Sequence, residues 1–424
     1  MNYIALDQQH IWHPFSQYKN AATPLLAVKG EGVYIIDSEG NKYIDAISSW
    51  WVNLHGHANT YIAQKVYDQL TTLEHVIFDG FTHPKAIELS QHLLSQLPNN
   101  LQRVFYSDNG STANEVAIKM ALQYWHNKGV AKNKIVALHN AYHGDTFGSM
   151  SVSARNVFTQ AFETLLFEVI RINAPHDDEQ YWQEIQFLFD QYHHEIAALI
   201  VEPLVQGASG MLMYSATALD KLWKLAQQYE ILIIADEVMT GFGRTGTYFA
   251  SNQVTTQPDI VCLSKGITGG TMALGATICT ENIFEAYISN DKRKTFFHGH
   301  SYTANPIACA AACASFDLLA LDATWQQIQS ITAEHQTFVN KIKDSPKIKD
   351  ARCLGTIMAI ELRNNEETNY LNSIGTRVGP FFLAQGILIR PLGNVIYVLP
   401  PYCITSKELN KIYTAIEAFI DTIN

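Results

Sequence analysis

Between residues 103 and 266, short aliphatic runs stop abruptly at polar residues, and this pattern narrows the possible folds severely. Lys134–Leu138 leads into Asn140, Tyr142, His143 and Gly144; Ala198–Val201 ends on Glu202-Pro203; Ile231–Ala235 ends on Asp236-Glu237; and Ile260–Leu263 ends on Ser264-Lys265-Gly266. A strand with one wet face alternates apolar and polar residues, so runs that are apolar throughout describe strands covered on both faces. Arg103–Ser107 is another strand-like run, followed by Asp108-Asn109-Gly110-Ser111-Thr112 and then by Val116, Met120 and Tyr124 at helical spacing. Further helical stretches, Ala218–Tyr229 among them, separate the runs. Strands alternating with helices give an α/β fold: a mostly parallel central sheet with helices on both faces and right-handed crossovers. Such sheets bind ligands outside the carboxyl ends of their strands, which is where the polar residues named above stand.

A chain of 424 residues exceeds the ~100–200 residues of a usual domain, so a second lobe is expected. Beyond about residue 308 an Ala-rich helical pattern gives way to a polar helical stretch, a strand-like Gly355–Glu361 and the run Val395–Leu399, which describes a smaller α+β lobe. Strand signals also occur early, at Gly32–Ile36 and Lys42–Asp45 around the turn Ser38-Glu39-Gly40. The formal charge of −11 argues against the broad basic face that nucleic acid or an anionic membrane requires. No stretch reaches the ~20 uninterrupted apolar residues of a membrane span, and Met1–Asp7 lacks a basic segment followed by an apolar run. A cytoplasmic protein is expected. The six cysteines form no C-x-x-C pair and are expected to be reduced, buried thiols, with Cys309 and Cys313 packing a tight helix rather than holding a metal.

Several motifs carry chemistry only in company. Gly110-Ser111-Thr112 opens a helix after a strand, so free N–H groups, a hydroxyl and the positive helix end converge on an anion site; Thr112 and Glu115 equally satisfy an ordinary capping box. Asp236-Glu237 looks like a magnesium-holding pair of nucleotide hydrolases, but no G-x-x-x-x-G-K-[ST] occurs. Gly241-Phe-Gly243-Arg-Thr-Gly246 satisfies G-x-G-x-x-G, yet the acidic pair ends the strand before the glycines and no helix pattern follows, so it reads as a glycine-rich loop near the site. His55/His57 and His298/His300 have no carboxylate or cysteine cluster at ligand spacing, and no metal is expected there; His193-His194 reads as a solvated helix face. Lys265 follows a buried strand among small residues, where desolvation lowers a lysine pKa as a nucleophilic amine requires.

Taken together, an anion cradle, an aromatic plate at Tyr142, a carboxylate at Asp236 and the amine of Lys265 stand at strand ends of one sheet. Pyridoxal 5'-phosphate needs those four things: a site for its phosphate, a face for its flat ring, an acid that keeps its pyridine nitrogen protonated, and a lysine for its aldehyde.

With these residues in hand, the chain resembles the class III aminotransferases of pyridoxal-phosphate fold type I. The resemblance is carried by Asn109-Gly110-Ser111, Tyr142-His143-Gly144, Ile234–Val238 with Thr240–Gly246, Ser264-Lys265-Gly266 and His298–Tyr302. It implies a large cofactor domain with a seven-stranded sheet, a smaller domain built from both termini, and a homodimer with shared active sites. Residues 1–55 would then belong to the small domain, 56–307 to the large one and 308–424 to the small one again. The resemblance places Gly110 and Ser111 on the phosphate, Tyr142 against ring and substrate, Asp236 on the ring nitrogen and Lys265 as the catalytic amine. Phe15, Trp51, Gly299 and Arg390 would line the substrate pocket, and His300 and Ser301 would reach the phosphate across the dimer.

Within the family, Ile11–Phe15, Ser48–Trp51 with Val52–Gly56, and Leu388–Pro391 with Leu399–Pro401 are similar to the branch that aminates 8-amino-7-oxononanoate in biotin synthesis. Phe15 stands where the best-known members of that branch have tyrosine, and Ser301 where many class III members have threonine. Phe15 and His300-Ser301 resemble users of lysine as amino donor, whereas Trp50-Trp51 resembles users of S-adenosylmethionine, so both donors stay open. The competing readings are another class III enzyme acting on 4-aminobutyrate, ornithine or a diamine, a nucleotide-binding ATPase or dehydrogenase, and a binding protein that has lost catalysis. The intact Lys265 and Asp236 oppose the last.

Overall fold

A computed structural model describes residues 1–19 and 21–423. Its centre is a seven-stranded sheet of β1 (Leu101–Ser107), β2 (Lys134–Leu138), β3 (Ile170–Ile172), β4 (Ile196–Val201), β5 (Leu232–Asp236), β6 (Ile260–Leu263) and β7 (Gly275–Thr280), in the order β1-β7-β6-β5-β4-β2-β3. Neighbours from β6 to β3 pair in parallel, and β7 runs antiparallel to both β6 and β1.

Alternate residues of the parallel strands feed two separate apolar clusters. Val136, Leu199, Ile233 and Val261 belong to one, and Ile135, Ala198, Ile234 and Ile260 to the other. This two-sided burial is why the strands read as continuous aliphatic runs rather than as alternating ones. Helix Gly110–Asn127 supplies Val116, Met120 and Tyr124 to the second cluster, while Pro84–Gln96 and Ala216–Gln228 supply Leu89, Leu93, Leu222 and Trp223 to the first.

The terminal segments meet in a second sheet. Ala27–Glu31, Tyr34–Asp37 and Lys42–Asp45 pair antiparallel, and Ile387–Leu388 adds in parallel beside Lys42–Asp45. A third, antiparallel sheet is made of Ile348–Leu354, Ile357–Leu362 and Val395–Val398. The expected Gly355–Glu361 run therefore begins in a turn, with Gly355 at φ +57° joining two strands. The early run Gly32–Ile36 likewise starts later, at Tyr34, because Gly32 (φ +57°) turns the chain between two strands.

The buried-thiol expectation holds for Cys262, Cys279, Cys309 and Cys313, but Cys353, on the edge strand Ile348–Leu354, is half-buried and Cys403, in the loop before the last helix, is exposed. His193 caps helix Glu179–Tyr192 and is half-buried, its Nδ1 2.9 Å from Phe189 O, so only His194 is solvated, and it stands in the turn beyond the helix. Among the described residues no single helix is long and apolar enough to cross a membrane.

Candidate active site

The carboxyl ends of β4, β5 and β6 and the start of helix Gly110–Asn127 open into a cavity of about 460 Å³. Asn109 caps the helix: its side-chain oxygen accepts the Thr112 N–H at 3.0 Å, and the Thr112 hydroxyl accepts the Asn109 N–H at 3.0 Å. The cap thus lies three residues before the expected Thr112–Glu115 box, since Glu115 is engaged elsewhere and accepts the N–H groups of Gly148 and Ser149 at 2.6 and 3.2 Å. With Asn109 committed to Thr112, the N–H groups of Gly110 and Ser111 have no acceptor within the helix and lie at its positive end. A Cβ at Gly110 would stand 2.6 Å from Val238 Cγ1, and one at Gly144 only 2.1 Å from Ser111 Oγ, so both glycines are demanded by close approach.

Asp236 ends β5 and is 3% exposed. Its Oδ1 accepts the Val238 N–H at 3.0 Å; its Oδ2 accepts Asn114 Nδ2 at 2.8 Å and His143 Nδ1 at 2.6 Å. Asn114 also donates to the His143 carbonyl at 2.8 Å, so three residues from three elements fix one carboxylate. Lys265 follows β6 with φ +46°, a strained left-handed conformation that turns its side chain into the same cavity. Its ammonium is 4.8 Å from the Trp51 ring, and Trp51 Nε1 donates to the Tyr397 hydroxyl at 3.0 Å. Burial holds the Lys265 pKa below the ordinary lysine range, against the opposing pull of Asp236 and Glu202.

Glu202 was not among the expected site residues, although it ends an aliphatic run just as Asp236 does. It lines the cavity, and its two oxygens accept the N–H groups of Tyr142 and Gly207, each at 3.0 Å. Burial pushes its carboxyl up to about 7, with His143 opposing and Asp236 reinforcing the shift. Glu202 thereby holds the Tyr142 backbone; burial also pushes the Tyr142 phenol well up. Asn114 was missed too, being one helical turn past the cap with nothing in the sequence to separate it from core.

A second cavity, of about 260 Å³, shares Trp51, Tyr142 and Lys265 with the first and extends to Phe15, Trp50 and Arg390. The Arg390 guanidinium lies 4.3 Å from the Trp50 ring and 5.4 Å from that of Phe15. Ser48, Ser49, Trp50 and Trp51 all have positive φ, as does Phe15, a strain with no sequence signature; Phe15, Trp50 and Trp51 line the pocket, while the Ser48 and Ser49 hydroxyls donate to Leu399 O and Asp45 Oδ2, each at 2.7 Å.

Gly110, Ser111, Tyr142, Asp236, Lys265, Trp51, Phe15 and Arg390 are therefore gathered around two joined cavities. Gly299, His300 and Ser301 are not: Gly299 has open space around its Cα and Ser301 is exposed, while His300 Nδ1 lies 3.0 Å from Asp108 Oδ2, just before the anion cradle. His55 and His57 serve structure, reaching Ser315 Oγ at 3.0 Å and Asp45 Oδ2 at 2.9 Å. Glu88, His92 and Cys313 bring ligand atoms within 4.8 Å of one another, but Lys85 occupies the Glu88 carboxylate at 2.6 Å and burial raises the Cys313 thiol, both of which oppose a metal. The Gly241–Gly246 segment is a loop, buried as far as Thr245, whose Arg244 donates to Pro400 O and Asn53 O at 2.8 and 3.0 Å, so it braces the terminal segments instead of cradling a nucleotide.

Comparison with known proteins agrees with this geometry. Residues 15–420 match the family described as Aminotransferase class-III. The adenosylmethionine-8-amino-7-oxononanoate aminotransferase of Synechococcus elongatus is 47% identical, covering 98% of this chain and 99% of that protein. That of Geobacter sulfurreducens is 38% identical, covering 98% and 97%. The crystal structure of adenosylmethionine-8-amino-7-oxononanoate aminotransferase from Methanocaldococcus jannaschii superposes with a TM-score of 0.95 at 34% identity, covering 100% of this chain and 99% of that one. An omega transaminase from Pseudomonas jessenii in complex with PMP gives 0.92 at 25% identity, covering 99% and 98%.

Proposed function

This chain belongs to the class III aminotransferases, and from that membership we propose that it transfers an amino group to 8-amino-7-oxononanoate, giving 7,8-diaminononanoate for biotin synthesis. The observation that carries the substrate is the pocket running from Lys265 past Trp51 to Arg390, apolar along its walls and cationic at its end. An aliphatic chain with a terminal carboxylate has that polarity, and the planar guanidinium fork matches a carboxylate.

Pyridoxal 5'-phosphate is the cofactor of this family, and the donor set fits it: a buried carboxylate with ordered partners, uncommitted N–H groups at a helix start, and a lysine held below its ordinary pKa. When bound, the group supplies an aldehyde that carries the amino group between substrates and a ring that takes up electrons. We assign Gly110 and Ser111 to its phosphate, Tyr142 to its ring face and Asp236 to the proton on its ring nitrogen. Lys265 is the catalytic base, taking a proton from the donor carbon that bears the amine and giving one to the acceptor carbon that receives it. Trp51, beside Lys265, excludes water from the reacting end, and Phe15 walls the far end beside Arg390.

The same reading makes the protein a cytoplasmic homodimer, with the partner copy's loop supplying Gly299, His300 and Ser301. Exposure of that loop on a single chain supports the dimer, and six free cysteines suit a reducing compartment. It also divides the chain into a large domain, 56–307, and a small one from 1–55 and 308–424, supported by the sheet that joins Lys42–Asp45 to Ile387–Leu388.

The test is a donor panel on the purified holoenzyme, offering lysine and S-adenosylmethionine separately with 8-amino-7-oxononanoate. Formation of 7,8-diaminononanoate with one of them is expected. No product with either, alongside turnover of 4-aminobutyrate, ornithine or a diamine, would move the chain to another branch of the family.

A further inference from the structure

The end of the substrate pocket contains a group that the assignment above leaves unused. Tyr370, on the segment between Leu362 and helix Gly375–Ala384, brings its hydroxyl 2.8 Å from Arg390 Nη2 and accepts that N–H. Among the described residues the phenolic proton has no acceptor, and Arg390 has no carboxylate partner. Phe15, 5.4 Å from the guanidinium, contributes a ring without a hydroxyl. The Tyr370 ring meets Phe158 edge-on at 4.8 Å, and Phe158 meets Phe15 at 5.7 Å, so an aromatic wall surrounds the cation. Beyond that wall lies a neighbouring cavity of about 440 Å³ that reaches Lys349 and Glu361 and has Phe158 and Tyr370 as part of its lining.

We propose that Tyr370 is a specificity-determining residue for the amino acceptor: its free O–H and one N–H of Arg390 together receive the two oxygens of the acceptor's far carboxylate, while its ring closes the pocket against the neighbouring cavity. This rests on the acceptor reading given above. A carboxylate at the guanidinium then meets one neutral and one charged donor side by side. The arrangement sets the length of chain accepted, because the carboxylate must reach Tyr370 while the carbonyl reaches Lys265.

The test compares Tyr370→Phe with the unaltered holoenzyme at saturating donor, using 8-amino-7-oxononanoate and the same amino ketone lacking the carboxylate. Loss of one hydrogen bond to a charged group is expected to raise KM for the carboxylated acceptor about tenfold. The kcat should stay within about twofold and KM for the carboxylate-free ketone unchanged, since only ground-state and transition-state binding of the far end are altered equally. In an Arg390→Lys background the same change should add less than about twofold, because the two donors act as a unit. An unchanged KM, or an equal rise for both acceptors, overturns the proposal. If the unaltered enzyme ignores 8-amino-7-oxononanoate, the acceptor reading fails instead, and the same pair of assays on a keto acid it does accept, with and without the carboxylate, still decides the role of Tyr370.

Discussion

Two carboxylates near one amine do different work because their surroundings differ. Asp236 accepts three hydrogen bonds, one from a backbone N–H and two from the side chains of Asn114 and His143; Glu202 accepts two backbone N–H groups in a dry setting that pushes its carboxyl up to about 7. Asp236→Asn is expected to retain cofactor but lower kcat by at least about 10², because an amide cannot hold the ring nitrogen's proton; stopped-flow measurement of each half-reaction checks it. Lys265→Ala should abolish both the covalently bound chromophore and turnover, read from the absorption spectrum after denaturation. Glu202 carries a pH signature. Its value in the fold lies above the ordinary 4.5, so between about pH 4.5 and 7 the native state keeps a proton that the unfolded state releases, and stability falls as pH rises through that window. The span corresponds to roughly 3 kcal/mol. Glu202→Gln, whose amide meets the Gly207 N–H poorly, should be less stable than the unaltered protein at pH 5, with the gap narrowing by pH 8 in denaturation midpoints. Lys265 and Asp236 were legible because each interrupts a run of buried aliphatics with a charge. Glu202 gave the same signal, masked by the following proline, which reads as a simple strand end.

At the scale of elements, legibility followed burial. β2, β4, β5 and β6 announce themselves because both faces are covered by apolar clusters. β7, Gly275-Ala-Thr-Ile-Cys-Thr280, is as buried yet has no aliphatic run: Thr277 satisfies its hydroxyl on Ala113 O at 2.8 Å, and Gly275 is small because a Cβ would stand 2.4 Å from Asn109 O. The strand is polar and small in order to let the helix cap approach the sheet, a tertiary demand that no local pattern encodes. That crowding yields a prediction about the anion cradle. Gly110→Ala would place a Cβ 2.6 Å from Val238 Cγ1, so Val238, two residues past Asp236, must shift, and the change is expected to weaken cofactor binding at least about tenfold. Asn109→Ala should cost about 1 kcal/mol of stability through the lost cap, with a smaller effect on affinity. Spectroscopic titration of the apoenzyme with pyridoxal phosphate, alongside denaturant unfolding, separates the two: equal affinities for Gly110→Ala and the unaltered chain would mean the cradle lies elsewhere.

On the scale of the whole molecule, the fold leaves a surface that one chain does not cover. Phe297 is 74% exposed and Tyr302 64%, flanking the Gly299-His300-Ser301 stretch, and Phe81 and Ile77 are 64% and 60% exposed. Large apolar side chains of this kind in water mark surfaces that associate. None of this could be derived from periodicity, which speaks only of a chain's own core; the expectation of a shared site came from resemblance alone. In a two-fold dimer each partner contributes the same patch, so a loop excluded from its own pocket is available to the other copy's. Subunit mixing tests this directly. Lys265→Ala removes the catalytic amine, and His300→Ala with Ser301→Ala removes the loop's phosphate contacts; each homodimer is then defective at both sites. If the loop serves the partner, a mixed dimer combines one doubly damaged site with one whose lysine and loop are both intact. Equal mixing after mild dissociation would make half the dimers mixed and return about a quarter of the unaltered activity. If instead the loop serves its own chain, every site in the mixture carries one lesion or the other, and mixing recovers nothing.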